Sequence, residues 1–420
     1  MSTVFDRLLA PVLPILQQIE TMRPKHGNET LAWLDWVRCL VYFFTKRCGS
    51  RNAWAVALAN ADPALHLRAV PRMTLSDSMH RFPPTLLRHA LRELLTSRDL
   101  LTHPELTLLG QAYAVDGSEF PLINGMTLPK SNELLQRVKL HLKFSLNQMV
   151  AVDFLLSTQE ASERKALRRF LQKGATYVLD RGYMAFTLLR DVITAQAFVV
   201  MRAYQNIVVQ TVTELPLQVP AYIQQHWSAI GDRMVRSEHD DAQGIVFRLV
   251  EFTIGPTSYK LITNRTDLTT FQVMLLYAYR WQIELIFRFL KHTMDSQNVI
   301  SLYPWGIENY FAGMFLTAIL HLYFKQDCLR DGGYRPPTDQ ELAQDLPDDD
   351  DIVSASTDAA RPTHQPLIAR YMDAANQKLA LFWKVPKHWL ATLADYLYRP
   401  FTPQVVQVLN QRAIACYYDT

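Results

Sequence analysis

Two aspartates and one glutamate in this 420-residue chain stand where they could do chemistry together. Asp116 closes the apolar run Ala112–Val115 and opens Asp116-Gly117-Ser118. Asp180 closes the run Ala175–Leu179 and opens Asp180-Arg181-Gly182-Tyr183. Glu284 lies in a helical pattern with Tyr277, Arg280, Arg288 and Lys291, at successive spacings of three, four, four and three residues. At about 3.6 residues per turn these five share one face, and Ile283, Phe287 and Leu290 take another. Two aspartates at the ends of neighbouring strands repel unless a cation lies between them. Hard cations such as Mg²⁺ or Mn²⁺ prefer carboxylate oxygens. The chemistry implied is cation-assisted. The plainer alternatives are two turn-starting aspartates and a surface ladder Arg280–Glu284–Arg288, which would leave the upstream aspartates unexplained. Gly182 suggests a positive φ angle or a close backbone approach.

The elements needed to hold these residues can be read from periodicity. Strands are expected at Ala112–Val115, Val138–Leu146 and Met149–Leu156, with a turn at Asn147-Gln148 between the last two. An amphipathic helix follows over Ala161–Gln172, then the strand Ala175–Leu179, a helix near Ala185–Ala195 and the strand Ala197–Arg202. Three strands with short links suggest an antiparallel meander, and strands returning after helices suggest parallel pairing. The first and fourth strands can then be neighbours, with Asp116 and Asp180 at one edge. This is an α/β fold, with the mixed five-stranded sheet and flanking helices of an RNase H-like layout. Lys139, His141 and Lys143 alternate onto one strand face, read as solvated or as a DNA-facing stripe. Arg164, Lys165, Arg168 and Arg169 form a solvated helix face or a phosphate patch.

The flanking regions divide the chain further. Residues 1–105 are helical in pattern, over Val4–Ile19, Thr30–Phe44 and Thr85–Leu95. Met73–Leu95, broken at Pro83-Pro84, reads as a helix–turn–helix or as part of an ordinary bundle. The core would occupy 106–205 and be completed by 266–330. A β-rich insertion is expected at 206–265, before the glutamate helix. Two long helices are expected near Thr269–Thr293 and Ile307–Phe324. Residues 331–362 form an acidic linker or loop that includes Asp348-Asp349-Asp350-Asp351, and residues 363–420 return to a helical pattern.

The combination of Asp116-Gly117-Ser118, Asp180-Arg181-Gly182-Tyr183 and Tyr277-x2-Arg280-x3-Glu284-x6-Lys291 resembles the IS-four family of bacterial insertion-sequence transposases. The resemblance is strongest over residues 110–325. It implies a DDE transposase in which Asp116, Asp180 and Glu284 hold two Mg²⁺ ions, with Mn²⁺ able to substitute. Such a site cuts transposon ends and joins the 3′-hydroxyl strands to target DNA. It further implies phosphate contacts by Tyr277, Arg280 and Lys291, to which Arg288 is added from its position on the same face. Trp281 becomes a candidate for stacking on a flipped base. Arg181 becomes a candidate DNA contact beside the turn that aims Asp180. By the same analogy, residues 1–105 would bind the inverted repeats of double-stranded DNA, and the C-terminal helices would pair two protomers as a homodimer on DNA. An RNase H-like nuclease without strand transfer remains an alternative, as does an inactive DNA-binding derivative.

Composition is compatible with this reading. Hydrophobic residues make up 49% of the chain, enough for a large core and against global disorder. The net charge of +3 is too small to argue for nucleic acid alone. It hides an uneven distribution: residues 1–105 hold 13 basic against 9 acidic residues, whereas 333–361 hold 2 against 8. Cys39, Cys48, Cys328 and Cys416 lack zinc-ligand spacing and read as free thiols of a reducing compartment. The longest apolar run, Phe311–Phe324, is short for a membrane span and contains His321. A soluble, cytoplasmic, nucleoid-associated protein with no membrane partner is the resulting expectation.

Overall fold

A computed structural model describes residues 3–331, apart from 26, 28, 98–99, 101–105, 107–108, 128–133, 159–161, 220–226, 255–256 and 294–298. The acidic segment beyond Asp331 and the C-terminal region 363–420 lie outside the described residues.

The chain opens with helices. The pattern expected as one helix over Val4–Ile19 is two, α1 (Val4–Leu9) and α2 (Leu13–Met22). Pro11 lies between them, and Pro14 falls in the first turn of α2, where a missing N–H leaves no helical bond unmade. Next come α3 (Trp33–Lys46), α4 (Arg51–Ala59), α5 (Arg72–Arg81) and α6 (Pro84–Ser97). The link between α5 and α6 is the pair Phe82-Pro83. Both helices bury apolar residues: Leu75 and Met79 from α5, and Leu87, Ala90, Leu91 and Leu94 from α6.

Among the described residues the sheet has nine strands, five of the expected core and four from the β-rich insertion. They are β1 (Ala112–Thr127), β2 (Leu134–Ser145), β3 (Val150–Ser157), β4 (Thr176–Leu179) and β5 (Phe198–Arg202), then β6 (Gln210–Glu214), β7 (Trp227–Arg236), β8 (Val246–Ile254) and β9 (Thr257–Thr263). Their order is β3-β2-β1-β4-β5-β9-β8-β7-β6. The first five follow the expected plan: β1–β2 and β2–β3 are antiparallel, and β1–β4 and β4–β5 are parallel. The extra four belong to the β-rich insertion. β9 pairs antiparallel with β5, with Val200 opposite Thr263 and Arg202 opposite Leu261, so the insertion continues the core sheet at its open edge.

Helices cover both faces of the sheet. Between β3 and β4 lies α7 (Glu163–Phe170), and between β4 and β5 lies α8 (Phe186–Thr194). After β9 come α9 (Thr270–Tyr279), α10 (Trp281–Arg288), a π-helical turn over Phe289–Thr293, and α11 (Pro304–Asp331). Alternation along β1 divides the core. Tyr113 and Val115 pack with Leu167, Phe170, Leu188 and Leu189 from the α7–α8 side. Ala112 and Ala114 pack in a larger cluster that runs from Phe5 and Trp36 through Leu140 and Leu142 to Tyr310 and Phe311.

One sequence expectation fails here. The Lys139–His141–Lys143 face is not solvated, because α7 and its neighbours lie against it. His141 is 1% exposed and Lys143 3%. The Lys143 ammonium donates to the Phe170 carbonyl at 3.1 Å and lies 4.0 Å from the Tyr113 ring centroid. Burial pushes its pKa down to about 8. Polar lettering on a strand here reflects a sheet covered on both sides, with partners supplied internally.

Candidate active site

Asp116 lies within β1, which runs on to Thr127, rather than at its end. What ends is the pairing with β4. Its register runs Ala112–Thr176, Tyr113–Tyr177 and Ala114–Val178. Continued by two residues, the same register sets Asp116 beside Asp180, the residue that follows the last residue of β4. Asp116 accepts the Gly117 N–H at 2.7 Å, and Asp180 accepts the Gly182 N–H at 2.9 Å. Gly182 is not in a left-handed conformation. It serves by proximity, since a Cβ there would stand 3.2 Å from Asp180 Oδ1. Burial pushes the Asp116 carboxyl up to about 7. Arg280 and the Gly117 N–H oppose that rise, and Asp180 and Glu163 add to it.

Glu284 is carried on the second of two short helices. Thr269 and Gln272 form a capping box that starts α9. The single helix expected over Thr269–Thr293 is broken at Arg280 and ends in a π turn, so Lys291 departs from the straight-helix face. Arg280 donates to Glu284 Oε1 at 2.5 Å. Burial opposes its charge, yet Tyr277, Glu284 and Asp116 raise its pKa on balance. The guanidinium thus pairs with Glu284 and also lends positive charge to Asp116. Among the described residues, no three His, Cys, Asp or Glu side chains are gathered as a ready metal site. The donor chemistry still suits a hard divalent cation. The glutamate of this pair is one-third exposed, whereas the guanidinium is largely buried.

Residues 112–320 match the family model described as a transposase DDE domain. A protein of Sinorhizobium fredii (strain NBRC 101917 / NGR234) named "Putative transposase y4zB" is 25% identical over 214 residues, 50% of this chain and 59% of that protein. The chain therefore spans less than two thirds of that relative's length. The matched DDE region begins at the first residue of β1 and ends within α11, so it contains all three carboxylates.

The other predicted contacts of the DDE region scatter around this centre. Arg181 and Arg288 are exposed, and Trp281 is half-buried at the start of α10. Tyr277 is buried, with its ring 6.2 Å from that of Tyr259. Lys291 lies 5.1 Å from the Phe120 ring centroid, and burial lowers its pKa while Glu119 counteracts. Arg164, read as one of a phosphate patch, donates to the carbonyls of Gly182 at 3.3 Å and Met184 at 3.1 Å, so it anchors the turn after Asp180. Arg168 pairs with Asp191 at 2.6 Å. Sequence reasoning missed Glu163 and Tyr183 as neighbours of the aspartates. Tyr183 is fully buried and its hydroxyl has no partner among the described residues. Leaving a buried hydroxyl unmatched costs about 1–3 kcal/mol.

The raised Asp116 pKa gives a stability test. Between pH 4 and about 7 the folded chain keeps a proton that the unfolded chain releases, so this residue's contribution to stability falls as pH rises. In buffer free of divalent cations, Asp116→Asn is expected to raise the melting temperature at pH 8 by about 2–4 °C, and scarcely at all at pH 4. Equal melting curves for the two proteins at pH 8 would contradict the burden assigned to this carboxylate.

Proposed function

We propose that the protein is a DDE transposase of the IS-four type, with an RNase H-like core, that cuts transposon ends and joins their 3′-hydroxyls to target DNA. The observation that carries this reading is the register of β1 against β4, which, continued by two residues, sets Asp116 beside Asp180, with Glu284 linked to Asp116 through Arg280. The strand order β3-β2-β1-β4-β5, with a helix after β3 and another after β4, supports the RNase H-like assignment.

Asp116, Asp180 and Glu284 would hold the divalent cations, Mg²⁺ or Mn²⁺. When bound, these ions polarise the phosphoryl oxygens and balance charge on the entering and leaving oxygens. The chain's own part is to place and neutralise. Gly117 and Gly182 fix the aspartate side chains by backbone N–H donation. Arg181, next to Asp180, and Arg288, one turn beyond Glu284, offer guanidinium groups to phosphates on either side of the carboxylates. Trp281 offers an aromatic face for a displaced base. Two copies would assemble on a pair of ends.

The test uses duplex DNA that includes the sequences flanking the gene, with Mg²⁺ or Mn²⁺. Nicking at a defined position on both flanks is expected, followed by joining of a pre-cut end to a supercoiled target. Cutting without joining would leave a nuclease, and binding without cutting would leave a DNA-binding protein. Lys291→Ala is expected to weaken end binding and to lower the slope of log affinity against log salt by about one, because one phosphate contact is gone. An unaltered salt slope would remove Lys291 from the interface.

A further inference from the structure

We infer that Glu163 is a fourth carboxylate of the cation site, held ready by Lys139 at the end of the helix that also anchors the Asp180 turn. The inference rests on the cation site proposed above for Asp116, Asp180 and Glu284.

Glu163 is the first residue of α7. Its Oε1 lies 2.7 Å from Lys139 Nζ, and neither side chain is fully buried. Lys139 comes from β2, in the strand register that sets His141 opposite Gly117. A Cβ at Gly117 would stand 2.9 Å from Lys139 Cε, 3.1 Å from Glu163 Oε1 and 3.4 Å from His141 Nδ1. The carboxylate therefore overhangs the backbone beside Asp116, in room that a glycine leaves. The next residue, Arg164, grips the Gly182 and Met184 carbonyls. One helix end thus touches both aspartate-bearing segments.

Asp116 and Glu163 approach from opposite faces of the sheet. β4 stops at Leu179, so on that side no strand separates the two faces beyond Asp116. The charge of Glu163 is felt by both Asp116 and Tyr183.

A second observation points to a ligand in this space. The Tyr183 hydroxyl is fully buried, without a partner among the described residues, and surrounded by the fields of Asp116, Glu163 and Asp180. His141 Nδ1 is buried and unmatched beside Gly117, next to Glu163 Oε1, while its Nε2 is 2.8 Å from Ser157 Oγ. A lone structural ion pair between Lys139 and Glu163 accounts for neither atom. A hard cation with its oxygen ligands accounts for both, since it brings acceptors to the phenol and the imidazole.

The experiment titrates the full chain with Mn²⁺ at pH 8, read by calorimetry or by the loss of free-ion EPR signal. Glu163→Gln is expected to weaken Mn²⁺ binding about tenfold, with the cation-free melting temperature unchanged. Glu163→Asp should recover part of the loss. Lys139→Met, which frees Glu163 from its ammonium, should bind Mn²⁺ at least as well as the wild type. Wild-type affinity in Glu163→Gln, with binding lost in Asp116→Asn, would overturn the role of Glu163 and leave the three-carboxylate site standing. The same loss in Lys139→Met as in Glu163→Gln would also overturn it, because the ion pair alone would then matter. No saturable binding by the wild type would overturn both.

Discussion

Asp116→Asn, Asp180→Asn and Glu284→Gln should each reduce end cleavage at least about a thousandfold, while affinity for the end DNA stays within a few fold. Each amide keeps the shape of the side chain and removes the charge that holds a hard cation. Combining two of the changes should cost little more than one, because groups that act as a unit are strongly non-additive. The separation of cleavage from binding is the critical measurement. If Asp180→Asn lost DNA affinity to the same degree as activity, its role would be to shape the Arg181–Tyr183 turn. Asp116→Asn carries an internal control, since it should become more stable at pH 8 as it becomes inactive.

The second large effect is expected far from the carboxylates, at Asp232 in β7. Asp232 is 1% exposed and receives both Nε and Nη2 of Arg248, at 2.8 and 2.5 Å. Arg248 also donates to the carbonyls of Arg265 and Leu268, and Thr270 donates to Asp232 Oδ2 at 2.7 Å. Asp232→Ala leaves a guanidinium buried without its counter-charge, and should destabilise the protein by about 3–5 kcal/mol in a urea titration. A loss under about 1 kcal/mol would mean that water reaches Arg248. The pair has a bearing on catalysis as well. Thr270 is the first residue of α9, whose far end leads into Arg280 and Glu284. The insertion thus sets the start of the glutamate helix, and Asp232→Ala should lower cleavage by misplacing Glu284 even at temperatures where the protein is folded.

The five core strands were legible because each contains an apolar or alternating run bounded by turn residues, as at Ala175–Leu179. The aspartate candidates stood out because each follows an apolar run, Ala112–Val115 or Ala175–Leu179, and Glu284 because of the spacing of its charged helical neighbours. Other features were hidden for identifiable causes. The nine-stranded sheet depends on β9 joining β5, a pairing between residues about 60 apart that leaves no mark in local pattern. The length of β1 was underestimated because from Asp116 on it is sustained by long-range pairing, with β2 and, at Leu122, with Val299, rather than by an apolar run of its own. His141 and Lys143 were misjudged because residue type on one strand does not reveal what lies over it. The break at Arg280 and the π turn at Phe289–Thr293 are carried by helix formers throughout, so periodicity passed over them. Glu163 was unremarkable among the arginines of its helix until its Lys139 and Gly117 neighbours were in place.

Helix α11 lies between the N-terminal helices and the sheet. Asn309 donates to the Met79 and Phe82 carbonyls, Tyr323 to that of Leu94, and Gly313 sits where a side chain would run into Leu40. Phe311 meets Phe120 of β1, and Phe315 meets Phe154 of β3. If the first hundred residues choose the DNA end, that choice is not made by a detachable reading head. A chimera built to redirect the protein would have to carry the matching surface of α11 with the transplanted helices. Exchanged alone, those helices would meet foreign side chains across a dry seam, and the penalty would reach the strand on which Asp116 stands.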